Sequence, residues 1–94
     1  MKFCKSYPFF YDPGHGWMKV PNKELIALGI VEKISTYSYM RGEYSYLEED
    51  KDATIFITER RKIESEFPLK FVDHSSNKRS KIRSYSCYKK QLLA

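Results

Sequence analysis

Ser35-Thr36-Tyr37-Ser38-Tyr39-Met40-Arg41-Gly42-Glu43-Tyr44-Ser45-Tyr46-Leu47-Glu48-Glu49-Asp50-Lys51-Asp52 is the stretch on which the fold turns. Tyrosines alternate with small or apolar residues on both sides of Arg41-Gly42, the period-two pattern of two paired strands. A two-residue turn at Arg41-Gly42 sets Tyr39 opposite Tyr44 and Tyr37 opposite Tyr46. Four phenol rings then share one face of a hairpin, and Ser38, Met40, Ser45 and Leu47 share the other. After Leu47 the chain becomes acidic and the period changes. Ala53, Phe56, Ile57, Arg60 and Ile63 recur at three- and four-residue spacing, and Asp50 or Asp52 is placed to cap. Thr54-Ile55-Phe56-Ile57-Thr58 has the composition of a strand. Helix is favoured because Glu59-Arg60-Arg61-Lys62 puts positive charge near its C-terminal end, where the helix dipole welcomes it.

Upstream, Phe3 to Tyr11 reads as extended and aromatic, and Pro8 points to an edge position because it lacks an N–H for a ladder. Asp12-Pro13-Gly14-His15-Gly16 is a loop in which two glycines permit positive φ. Trp17 to Val20 is a short strand leaving it. Pro21 to Gly29 reads as a short helix with Asn22 as N-cap, Glu24 in the first turn and Gly29 as the left-handed residue after its end. Leu25, Leu28 and Ile26 are its docking residues, and Ile30 to Ile34 is a connector or a further helical turn. Downstream, Phe67 to Val72 is a strand with Phe67, Leu69 and Phe71 on one face. Asp73 to Lys78 is a polar loop, and Ser80 to Tyr88 a final strand or loose arm. The layout is α+β: a small antiparallel sheet of about four or five strands with two short helices, in a single domain over residues 1–94.

A hydrophobic fraction of 41% and an aromatic fraction of 16% argue for a packed core rather than a disordered tail. The net charge of +5 favours polyanionic partners: a phosphate-bearing small ligand, nucleic acid or an acidic protein face. Charge is also unevenly placed. Asn77 to Ala94 carries six cations and no acid, whereas Glu43 to Asp52 carries five acids, so homo-oligomerisation stays open. Cys4 and Cys87 make neither a disulfide framework nor a C-x-x-C pair. The first residues lack a signal-peptide apolar core, and no run reaches membrane-span length. The expectation is a reduced, cytoplasmic protein with no membrane association.

Two segments carry binding chemistry. Gly14, His15 and Gly16 can bring backbone N–H groups to an anion, with Trp17 laid over a base. The G-K-[ST] ending of a Walker loop is absent. Turn-and-anchor roles are the plain alternative, and His15 as a general base would need an orienting carboxylate such as Asp12. The second segment, His74 to Tyr85, interleaves serines with Arg79, Lys81 and Arg83. That mix suits phosphate oxygens, and so would a solvated basic tail. If extended, it sets all three cations on one side. Tyr39, Arg41 and Tyr85 complete the expected ligand-binding set as stacking and charge groups. His15, His74, Cys4 and Cys87 lack metal-ligand spacing, so neither a metal nor a cofactor is expected.

The combination of D-P-G-H-G-W-M-K-V (Asp12 to Val20), L-G-I (Leu28 to Ile30), Y-S-Y-M-R-G with Y-L-E-E-D (Tyr37 to Asp50) and R-S-K-I-R-S-Y (Arg79 to Tyr85) resembles small, mostly uncharacterised proteins carried by bacteriophages and plasmids. The resemblance spans nearly the whole chain, and Asp12 to Trp17 is its most specific part. It implies a host-directed role in the bacterial cytoplasm, such as blocking a defence system, and carries no catalytic residue. The expected function is therefore non-enzymatic: a nucleotide-type, phosphate-bearing defence signal bound without turnover. The alternatives are a protein–protein inhibitor of a host defence enzyme and a nucleic-acid-binding protein.

Overall fold

The computed structural model describes residues 2–63 and 68–93. Six strands form one sheet: β1 (Ser6–Tyr11), β2 (Gly16–Pro21), β3 (Tyr39–Arg41), β4 (Tyr44–Glu48), β5 (Lys70–Ser75) and β6 (Ser86–Cys87). They lie side by side in the order β5-β1-β2-β4-β3-β6. Every pairing is antiparallel except β1 with β5, which run parallel. Helices α1 (Asn22–Ala27) and α2 (Asp52–Ile63) join this sheet, so the α+β class holds, with one strand more than expected and one parallel pair. No described helix is long and apolar enough to cross a membrane.

The tyrosine hairpin is present, with its loop one residue later than the sequence suggests. Arg41 pairs with Tyr44, Met40 with Ser45 and Tyr39 with Tyr46, so the loop is Gly42-Glu43. Gly42 has φ of +60° and Glu43 does not share it. Positive φ at the first loop residue alone is the pattern of the type II′ turn, which requires glycine first. Moving a loop by one residue moves each cross-strand partner by two, so the faces survive. Tyr39, Tyr44 and Tyr46 still share one side, and Met40, Ser45 and Leu47 point into the core at 5%, 0% and 0% exposure. Tyr37 falls before β3 begins and is mostly exposed.

One side of the sheet packs against the helices. Tyr7 and Phe9 of β1, Met18 and Val20 of β2, and Leu47 of β4 meet Leu25 of α1 and Ala53 and Phe56 of α2. Ile26 of α1 faces solvent instead of docking. Asn22 is the first helical residue rather than the N-cap, which is Pro21. Its side chain accepts from Ser45 Oγ and donates to Gly42 O, tying α1 to the hairpin loop. Gly29 at φ +69° ends α1 as expected. Polar groups also enter this layer. Glu24 and Arg60 are fully buried on either side of Tyr7, whose hydroxyl donates to Glu24 Oε1 (2.5 Å) and accepts from Arg60 Nε (3.2 Å). Burial, reinforced by Glu24, pushes the Tyr7 phenol well above its ordinary range. Such a network is tolerated because its members are hydrogen-bonded to one another.

Three further expectations change. Pro8 lies in an interior strand, between β5 and β2, because β1–β2 pairing stops at Phe9 and the missing N–H falls beyond the ladder. The strand expected over Phe67 to Val72 is β5 and runs on through Ser75, inside the segment read as a loop. Leu69 and Phe71 pack on the core as expected, and Phe67 lies outside the described residues. The C-terminal segment is a strand only at β6, Ser86–Cys87, and its cationic part is not extended. Lys81–Ser84 is a 3-10 turn whose Ile82, 4% exposed, packs on Trp17 and Tyr46 across the second side of the sheet. Cys4 and Cys87 are both free thiols.

A candidate aromatic pocket

The second side of the sheet carries Phe10, Trp17, Tyr39 and Tyr46, because alternation on β1, β2, β3 and β4 sends these rings away from the helices. Where Ile82 and Arg83 cross this face, a hollow of about 410 Å³ remains. That is the size range of small-molecule sites. Its two walls are each organised by a buried carboxylate.

The first wall is Trp17, His15 and Arg83, organised by Asp12. The indole is 2% exposed overall, with Tyr39 edge-on at 6.1 Å, His15 tilted at 6.1 Å and the Arg83 guanidinium 5.3 Å from the ring centre. Asp12 Oδ1 accepts from Gly14 N (3.0 Å), His15 N (3.0 Å) and Arg83 Nη2 (2.9 Å). Asp12 Oδ2 accepts from Ser80 N (2.9 Å) and Arg83 Nε (2.6 Å). Arg83 beside it, helped by the amides of Ser80, Gly14 and His15, holds this carboxyl far below the usual carboxylate range against the opposing effect of burial. The loop amides expected to receive an anion thus receive the protein's own. Asp12 binds the backbone of His15, not its ring, so no Asp–His dyad forms here.

The glycines serve close approach rather than positive φ. A Cβ on Gly14 would lie 2.8 Å from Arg83 Nη2, and one on Gly16 would lie 2.6 Å from the Tyr11 ring. Neither has the left-handed φ that the sequence allowed.

The second wall is Tyr37, Tyr39, Glu48 and Lys51. Its organiser is Asp52, fully buried at the start of α2. Asp52 Oδ2 accepts from Ser35 N (3.1 Å), Ser35 Oγ (2.7 Å) and Ser38 Oγ (2.5 Å). Ser35 Oγ in turn accepts from Tyr37 N, and Ser38 Oγ from Glu48 N. Glu48 spends its carboxylate on the amides of Asp50 and Lys51, satisfying donors ahead of α2. Tyr37 is left 78% exposed at the rim.

Of the expected ligand residues, His15, Trp17, Tyr39 and Arg83 line this hollow. Arg41 and Tyr85 sit together elsewhere: the guanidinium lies 5.1 Å over the Tyr85 ring beside a second hollow of about 500 Å³ near the hairpin loop. Arg79 and Lys81 are exposed and line neither hollow, since the 3-10 turn sends Arg83 inward and its neighbour outward. Tyr37, Glu48 and Lys51 were not singled out for the site. Lys51 as the lone cation in an acidic run was the available signal. Among the described residues, no group of three or more His, Cys, Asp or Glu is placed to hold a metal ion. No protein-family model matches the chain, and no curated protein or solved structure is found to be similar to it.

Proposed function

We propose that the protein binds a nucleotide-type, phosphate-bearing ligand in the aromatic pocket and does not turn it over. The observation that carries this reading is the pairing of an aromatic lining with two cations in one hollow. Tyr37 and Tyr39 offer ring surface to a planar base above the buried Trp17 indole, and Lys51 and the solvent side of Arg83 offer donors to a phosphate. Arg83 commits Nε and Nη2 to Asp12, so it acts as a fixed, pre-oriented donor. Stacking supplies most of the affinity, because the acids Asp12 and Glu48 offset the cations Arg83 and Lys51 nearby. The resemblance to phage- and plasmid-borne proteins makes sequestration of a host defence signal the biological role of such binding. A second reading, inhibition of a host enzyme by direct contact, draws on the exposed Tyr37 rim, since tyrosine is favoured at interface hot spots.

The test is the protein as purified from cells. An absorbance ratio shifted toward 260 nm, and a nucleotide identified by mass spectrometry after heat release, are expected. Trp17 is the chain's one tryptophan, so titration with nucleotides should change its emission. Ligand-free protein whose emission ignores nucleotides up to about 1 mM, a very weak affinity, overturns the reading. Conversion of the released nucleotide on incubation with excess would show turnover and overturn it equally.

A further inference from the structure

The sheet has two unlike edges. At one side β6 is two residues long and little is offered for pairing. At the other, β5 is six residues long, five of them exposed, and no described strand lies beyond it. Its backbone orientation is fixed by its bonds to β1: Lys70 N donates to Lys5 O and Ser76 N to Tyr11 O. Residues 70, 72 and 74 therefore turn their peptide groups inward, and Phe71, Asp73 and Ser75 turn theirs outward. Side chains alternate accordingly. Phe71 meets Phe9 on the helix side, His74 stacks on Phe10 at 5.0 Å on the aromatic side, and Val72, on the His74 side, is 47% exposed.

We propose that β5 pairs antiparallel with β5 of a second copy of this chain, across a two-fold axis at Val72, joining the two sheets edge to edge. The strand's own chemistry selects this register. Only residues with outward peptide groups can form hydrogen-bonded pairs, so Phe71, Asp73 and Ser75 can be opposed only by outward-facing residues of the second copy. An axis through Asp73 would set two carboxylates directly opposite, which is destabilising. An axis at Val72 instead sets Phe71 opposite Asp73 of the second copy, giving main-chain bonds at two residue pairs. The two half-exposed valines then meet at the non-hydrogen-bonded position, where strands approach to about 4.5 Å between Cα atoms. Lys70 and Asp73 disfavour shifted pairings, as charges on edge strands generally do. The axis stands perpendicular to the sheet, so both aromatic pockets open to the same side. Two strand spacings, about 10 Å, separate β5 from β2 and Trp17, so the dimer does not depend on the pocket's ligand.

Sedimentation velocity on the full chain, from about 10 μM to about 1 mM because so small an interface is weak, is expected to show a concentration-dependent dimer. Val72→Lys, which opposes two ammonium groups at the axis, should be monomeric throughout with unchanged Trp17 emission. Val72→Thr, still β-branched, should dimerise. In hydrogen exchange, the amides of Phe71 and Asp73 should slow as concentration rises. A chain monomeric at every concentration overturns the proposal. So does a dimer that survives Val72→Lys, or one that forms without slowing those two amides.

Discussion

Replacing Asp12 by alanine tests the claim that one carboxylate holds two distant segments together. The side chain accepts five hydrogen bonds, three of them from the amides of Gly14, His15 and Ser80. Gly14 and His15 are exposed, so water replaces the lost acceptor for them, while the half-buried Ser80 amide is less easily served. The Arg83 side chain is 25% exposed, so its attraction for Asp12 is screened and adds little beyond the hydrogen bonds. At roughly 1 kcal/mol for each lost backbone bond, the change should cost about 3 kcal/mol, or a Tm lower by about 10–20 °C in a domain this size. Thermal unfolding followed by circular dichroism reads this directly. The pH dependence carries the sign. Because the folded carboxyl titrates below its ordinary value of 3.8, its contribution is complete above that pH and disappears as pH falls below it. Wild type should lose stability more steeply than Asp12→Ala between about pH 4 and pH 2. A variant with wild-type Tm and an identical acid slope would mean that Ile82 packing alone holds the C-terminal segment.

Tyr37→Ala should weaken nucleotide binding at least fivefold, since stacking on an aromatic is worth about 1–3 kcal/mol per base, while an exposed ring leaves Tm nearly unchanged; calorimetric titration reads the first and thermal melts the second. Arg79→Ala with Lys81→Ala should change affinity less than about twofold, because neither residue lines the pocket; a larger loss would move the phosphate site onto the C-terminal segment. Phe56→Ala should cost about 3–5 kcal/mol by opening a cavity between α2 and the sheet, read by urea unfolding. Burial pushes the Tyr88 hydroxyl up to about 12. Its contribution is therefore full below the ordinary value of 10 and lost as pH rises toward 12, and Tyr88→Phe should flatten that alkaline decline.

Much of the sheet's second face could be read from the sequence, because strand alternation is local. Tyr39 and Tyr46 point together whether the loop is at Arg41-Gly42 or Gly42-Glu43, and only the II′ requirement for a leading glycine distinguishes the two. α2 was legible for a similar reason: of the stripe Ala53, Phe56, Ile57, Arg60 and Ile63, the first two and Arg60 are buried and Ile57 half-buried, while Ile63, in the last turn, is exposed. Pro8 misled because its cost depends on where a neighbouring ladder ends, which is a property of β2. The site was legible only in pieces. Trp17, Tyr39 and Arg83 come from separate elements, and nothing local says that Arg83 turns inward to Asp12 while Lys81 does not. Ser35 and Ser38 look like ordinary small strand-flanking residues until Asp52 is placed between them.

The parallel pairing of β1 with β5 sets the order in which the chain can assemble. Ser6 finds Lys70, and Asp12 finds Arg83 across 71 positions of sequence, so the first strand and its loop cannot complete their contacts until β5 and Arg83 exist. Contacts this remote close slowly, because loop entropy is lost before they form. On a ribosome β3, β4 and β2 can pair with one another early, whereas β3 waits for β6 and the first wall of the pocket waits for Arg83. A chain truncated before Arg83 should therefore retain its early strand pairings yet lack the guanidinium that closes the first wall of the pocket.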